Sequence, residues 1–156
     1  MTLVGKPLVL ALLLAAAPTM AAAQSATSAR TFAAGLYARY ARGEPEYAGK
    51  DAGATFTPKL VRLIREDQAR ARGEVGALDG DPICDCQDPG GLKLVGLSVT
   101  PAGPGKATAV ARIQFPQSEP EAIRLDLVES GASWRVSDVH TADMPSLVAL
   151  LQAPQK

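Results

Sequence analysis

Four stretches in the second half of the chain alternate apolar and polar residues with a period of two: LKLVGLSV (92–99), KATAVARIQF (106–115), EAIRLDLVE (121–129) and SWRVSDVH (133–140). That period marks half-buried strands, because successive strand side chains point to opposite faces. The links TPAGPG, PQSEP and SGA are short and carry the Gly and Pro of tight reversals. Such links join only antiparallel neighbours, since a parallel crossover needs about a dozen residues or more. The pattern predicts a four-stranded antiparallel meander. One face carries Ala107, Ala109, Ala111, Ile113 and Phe115, then Ile123, Leu125 and Leu127, then Trp134 and Val136. The small alanines of the second strand leave room for close packing, most simply by helices.

Two such helices precede the strands. In ARTFAAGLYARYARGEPEY (29–47), Phe32, Leu36, Tyr37 and Tyr40 form one apolar stripe, and Gly43 and Pro45 end it. A Gly- and Ala-rich loop is expected over 44–56. TPKLVRLIREDQARARG (57–73) has Thr57 as N-cap, Pro58 in the first turn and Gly73 as C-cap. Leu60, Val61, Leu63 and Ile64 make its buried stripe. Arg62, Arg65, Glu66, Arg70 and Arg72 lie mostly on its wet side, either as a solvated face with local ion pairs or as a docking face. DMPSLVALLQ (143–152) reads as a short closing helix with Asp143 near its start. Helices on one face of a curved antiparallel sheet make an α+β fold.

The N-terminus reads as a secretory signal over 1–23, with Lys6 as the positive region, an apolar run from Leu8 to Ala17, and Ala21-Ala22-Ala23 as the cleavage pattern. The apolar run is too short for a mature membrane span, so no stable membrane insertion is expected after cleavage. Removing 23 of 156 residues leaves 133, one domain over 24–156 that is periplasmic or secreted. It holds 15 basic and 16 acidic side chains, a balance that offers no basic face for nucleic acid or anionic lipid.

DPICDCQDPGG (81–91) contains both cysteines of the chain. In an extended strand Cys84 and Cys86 would sit about 6.5–7 Å apart at Cα, marginal for a bond. A turn favoured by Asp81-Pro82 and Pro89-Gly90-Gly91 would bring them closer, and an oxidising compartment favours pairing. A local disulfide and two free thiols are the main alternatives. Redox exchange is disfavoured by Asp81, Asp85 and Asp88, which raise a thiol's pKa, and a metal site lacks further ligands. Asp79, Asp81, Asp85 and Asp88 do not match a calcium loop and read as turn caps.

Asp138 and His140 are the best candidates for acid–base chemistry. If the last strand stays regular, they share a face with Trp134 and Val136 and stand at the mouth of the sheet's concavity. Alternatively, His140 bonds a loop carbonyl and Asp138 ties down the acidic loop. No nucleophile elbow, phosphate loop or dinucleotide fingerprint is present. Trp134 reads as a core anchor. Tyr37, Tyr40 and Tyr47 either line a pocket or pack in the core.

The helix pair, the acidic DPICDCQD element and a meander ending in SWRVSDVH resemble the NTF2-like cone fold, and more narrowly the exported bacterial proteins grouped as DUF3828. The likeness covers roughly residues 30–152. It implies two N-terminal helices packed on a curved sheet, and a shape used both by isomerases and dehydratases and by noncatalytic binding modules. Enzymes of that shape place several polar residues inside the cone, whereas the inward positions here are mostly Ala, Ile and Leu. The expectation is therefore noncatalytic binding of a small ligand or partner protein, without cofactor or metal. Asp81, Asp85, Gln87, Asp88 and Trp134 are candidate binding positions, and the open sheet face is a candidate homodimer surface. The alternatives are a small-molecule enzyme of isomerase, dehydratase or hydrolase type using Asp138 and His140, and a cysteine-dependent redox or copper-handling protein.

Overall fold

A computed structural model describes residues 17–43 and 45–154, with side chains from Ala23 onward. Most of the expected signal segment lies outside the described residues. The elements run α1 (Ala17–Tyr40), α2 (Ala52–Thr55), α3 (Pro58–Ala71), β1 (Lys93–Pro101), β2 (Lys106–Gln114), β3 (Glu121–Ser130), β4 (Ser133–His140) and α4 (Leu147–Gln152). The strands form one open antiparallel sheet in the order β1-β2-β3-β4, the meander that the short links require.

One face of the sheet is the core. Ala107, Ala109, Ala111, Ile113, Ile123, Leu125, Leu127, Trp134 and Val136 are all buried on it. Ala29 and Ala33 of α1 are fully buried as well, and small residues on both partners let the helix lie close to the sheet. Two polar ties fix its position: Trp134 donates its indole N–H to Ser28 Oγ (2.9 Å), and Arg30 donates to the Leu97 carbonyl (2.8 Å). Leu147 and Leu151 anchor α4, each burial contributing about 1.5–3 kcal/mol.

Helix α3 starts as its sequence requires, with Thr57 Oγ1 accepting the Leu60 N–H and Pro58 in the first turn. Its left-handed cap is Arg72 (φ 52°), one residue before the expected Gly73, which is left-handed too (φ 91°). Residues 45–56 depart from the loop expected over 44–56. They hold α2 and the fully buried Tyr47, and the following Thr57 N–H reaches the Val136 carbonyl (3.0 Å), covering the outer edge of β4. Helix α4 begins at Leu147 under a Ser146 cap, so Asp143 stays exposed outside it.

Strand β4 is not regular. Asp126 pairs with Asp138 while Leu127 pairs with Val136, so Ser137 is a bulge without a partner. A bulge inserts one residue and reverses the alternation beyond it. Trp134 and Val136 face the core, and then Val139 does. Asp138 and His140 are thereby turned away from the face on which a regular strand would have placed them.

Candidate functional site

Cys84 and Cys86 are disulfide-bonded, with Cα atoms 5.2 Å apart. The turn closes because Asp81 N–H donates to the Cys86 carbonyl (2.8 Å) and Cys86 N–H returns to the Asp81 carbonyl (3.3 Å). Asp85, between the cysteines, is left-handed (φ 52°), a conformation that aspartate tolerates better than most residues. Gly80 precedes the turn at φ 129°, where a side chain would strike the Cys86 carbonyl. The bonded pair has no thiolate to give a metal.

The neighbouring acids diverge rather than converge. Asp79 accepts from Gln87 Nε2 (2.8 Å), Asp85 from Thr141 Oγ1 (2.6 Å) and Asp88 from the Gly90 N–H (2.8 Å). Asp81 accepts from the Ile83 N–H (2.8 Å) and from Tyr40 Oη (2.7 Å). Among the described residues, no three His, Cys, Asp or Glu side chains are placed to hold one metal ion. Each acid closes a turn or ties the loop to a neighbour. Asp85 does the latter, linking the disulfide turn to the β4–α4 connection.

The tyrosine side chains are engaged by the fold. Tyr37 donates to the Ile83 carbonyl (3.1 Å), and Tyr47 to the Leu36 carbonyl. Tyr40 packs against both rings, with centroids at 6.3 and 5.7 Å. Burial raises the pKa of all three phenols, and it raises that of Asp81 against the amides and the hydroxyl that favour its charged form. Arg39 lies over the Tyr47 ring and pairs with Asp51 at 2.7 Å. The cluster is a closed hydrogen-bonded seam between α1 and the disulfide turn.

Asp138 and His140 occupy the corner between β4 and α4. Asp138 accepts from Ser146 Oγ (2.6 Å), the Val148 N–H (3.0 Å) and its neighbour's N–H at Val139 (2.9 Å). It therefore helps to cap α4, satisfying an amide that the helix start leaves without a partner. His140 spans the Pro145 carbonyl at Nδ1 and Asp126 Oδ2 at Nε2 (2.9 Å). Which ring nitrogen donates depends on the tautomer. The two side chains approach at 3.8 Å, but neither faces the sheet's inner side. Trp134 is a core anchor at 3% exposure.

A groove does open elsewhere. It runs between α2, α3 and the β3–β4 turn, with a volume of about 610 Å³. Phe56, Pro58, Val61 and Ala69 give it an apolar lining, and Arg62, Arg65 and Arg135 stand around it with Glu66. Glu66 pairs with Arg62 (3.5 Å). Among the described residues, Arg65 and Arg135 have no carboxylate partner. Arg135 donates instead to the Trp134 carbonyl (2.8 Å).

Sequence reasoning places Arg62 and Arg65 on the wet face of α3, yet nothing local shows that Arg135 joins them from 70 positions away. It also passes over Asp67, 2% exposed, whose carboxylate accepts the Ala77 and Leu78 N–H groups (3.1 Å each) and is reached by Arg70. A signal was there: Asp67 continues the buried spacing of Leu60, Leu63 and Ile64, and an acid on such a stripe needs a partner.

One curated relative, "Uncharacterized protein YqhG" of Escherichia coli (strain K12), is 30% identical over 97 residues, which is 60% of this chain and 32% of the relative. The chain thus spans about a third of that relative's length. No family model matches the chain. No solved structure matches it either.

Proposed function

We propose that this chain is an exported, noncatalytic binding domain of NTF2-like shape, and that the groove beside α3 is its binding surface. The observation that carries the reading is the engagement of the best acid–base pair in structure. Asp138 helps to cap α4, and His140 is held between a carbonyl and a carboxylate, which favours a structural role for both. Among the described residues, the inner face of the sheet is covered by the chain's own apolar side chains, which supports a noncatalytic reading. Helices followed by a meander, with the helices on one face, support the NTF2-like and DUF3828 resemblance.

Two observations support export. The first described hydrogen bond from α1 to another element is that of Ser25 to Glu129 (3.1 Å), so a cut after Ala23 would preserve it. The Cys84–Cys86 bond suits an oxidising compartment. Native mass spectrometry of the protein recovered from an exported fraction tests both parts of the reading. It should show a mass beginning at Gln24 and a bound ligand or partner at one per chain. A full-length chain retained inside the cell, or bare monomer in every preparation, would count against it.

A further inference from the structure

Resting on the reading that the groove beside α3 is the binding surface, we infer that its ligand is a small amphipathic anion. Its carboxylate or phosphate head sits between Arg65 and Arg135, and its apolar body lies along the exposed Pro58 and Ala69. The lining supplies the two halves of this ligand separately. Three arginines, from α3 and from the start of β4, line the groove with a single glutamate. An excess of positive charge at one groove favours an anionic ligand there. A guanidinium's planar fork matches a carboxylate or phosphate through paired hydrogen bonds. Arg62 is partly neutralised by Glu66, which leaves Arg65 and Arg135 as the pair for the head group.

Size and surroundings favour a small molecule. A volume of about 610 Å³ lies within the range of about 300–1,000 Å³ in which small ligands are held. A stable protein interface buries roughly 800 Å² per partner around an apolar core, which would need exposed apolar side chains beyond the groove. The large apolar side chains exposed among the described residues are Val75 and Val95, and neither lines it. An extended polyanion would need a broader basic surface than a chain with 16 basic and 16 acidic residues provides.

Gly53 provides the control. It lines the groove, and a Cβ built on it meets nothing within 4 Å, so Gly53→Phe should fill the space without disturbing the core. Calorimetric titration of the full chain with monomeric decanoate, and in parallel with decanol, tests the inference. Decanoate should bind at least about tenfold tighter than decanol, and Arg65→Gln and Arg135→Gln should each weaken decanoate about tenfold while leaving decanol unchanged. Gly53→Phe should abolish binding of both. No decanoate binding, or decanoate binding insensitive to both arginines, overturns the anionic ligand. In the second case the groove reading survives if Gly53→Phe still blocks binding, and falls if it does not. Phosphatidylglycerol vesicles form the second arm: sedimentation with vesicles but no binding of free decanoate would assign the arginines to a lipid surface and overturn the proposal.

Discussion

The acidic turns and the arginine groove are built on opposite rules. Asp67, Asp81, Asp85 and Asp138 each accept from backbone amides or hydroxyls supplied by another segment. Arg65 and Arg135 line an open groove, and no carboxylate answers them among the described residues. Polar groups whose bonding capacity is filled by the fold hold the fold. Those brought together and left unneutralised are open to something else. Substitutions in the first set should therefore lower stability and spare binding, and substitutions in the second should do the reverse.

The largest expected effect is at Asp67. Asp67→Ala leaves the Ala77 and Leu78 amides without their acceptor at a 2%-exposed site and should cost about 3 kcal/mol, or roughly 10 °C in the thermal midpoint. A loss under about 0.5 kcal/mol would mean that the loop after α3 finds other partners. Asp138→Ala comes next, at about 2 kcal/mol in urea unfolding, because α4 loses an acceptor at its first turn and Ser146 loses its bond. Removing the disulfide through Cys84→Ser with Cys86→Ser should cost about 1–2 kcal/mol, as expected when so short a loop is opened.

Asp81 gives a subtler comparison within the first set. Burial raises its carboxyl pKa in the folded state. A raised folded value means that the neutral carboxyl stabilises the fold fully below the ordinary value near 3.8, and that this contribution is lost as pH climbs through the raised value. Asp81→Asn keeps an acceptor for the Ile83 amide but cannot ionise. Wild type should lose more stability than Asp81→Asn as pH rises from about 4 towards neutrality. Equal slopes in parallel unfolding series would remove the burial argument. The smallest stability effects belong to Arg65→Gln and Arg135→Gln, each within about 0.5 kcal/mol of wild type.

Much of this arrangement is legible in the sequence because it is local. Period-two alternation marks all the strands, and the alanine face of β2 appears as the buried side it proves to be. Thr57-Pro58 starts α3 where capping chemistry says it should. What escapes is set by contacts between distant segments. The bulge at Ser137 reverses Asp138 and His140 relative to Trp134, and the two bonds from Asp138 to the start of α4 accompany that reversal. No feature of SWRVSDVH alone requires it. Tyr47 is buried within a stretch whose composition reads as loop, and its hydroxyl finds the Leu36 carbonyl of α1. Arg135 lines the same groove as Arg65 only because the β3–β4 turn folds beside α3.

The most direct measurement of this contrast is decanoate titration of Asp138→Asn and Arg65→Gln side by side, with the thermal midpoint of each. Asp138→Asn should melt lower and bind as wild type, while Arg65→Gln should melt as wild type and bind about tenfold more weakly. Loss of binding in Asp138→Asn with an unchanged midpoint, together with full binding in Arg65→Gln, would contradict it and return the functional site to the β4–α4 corner.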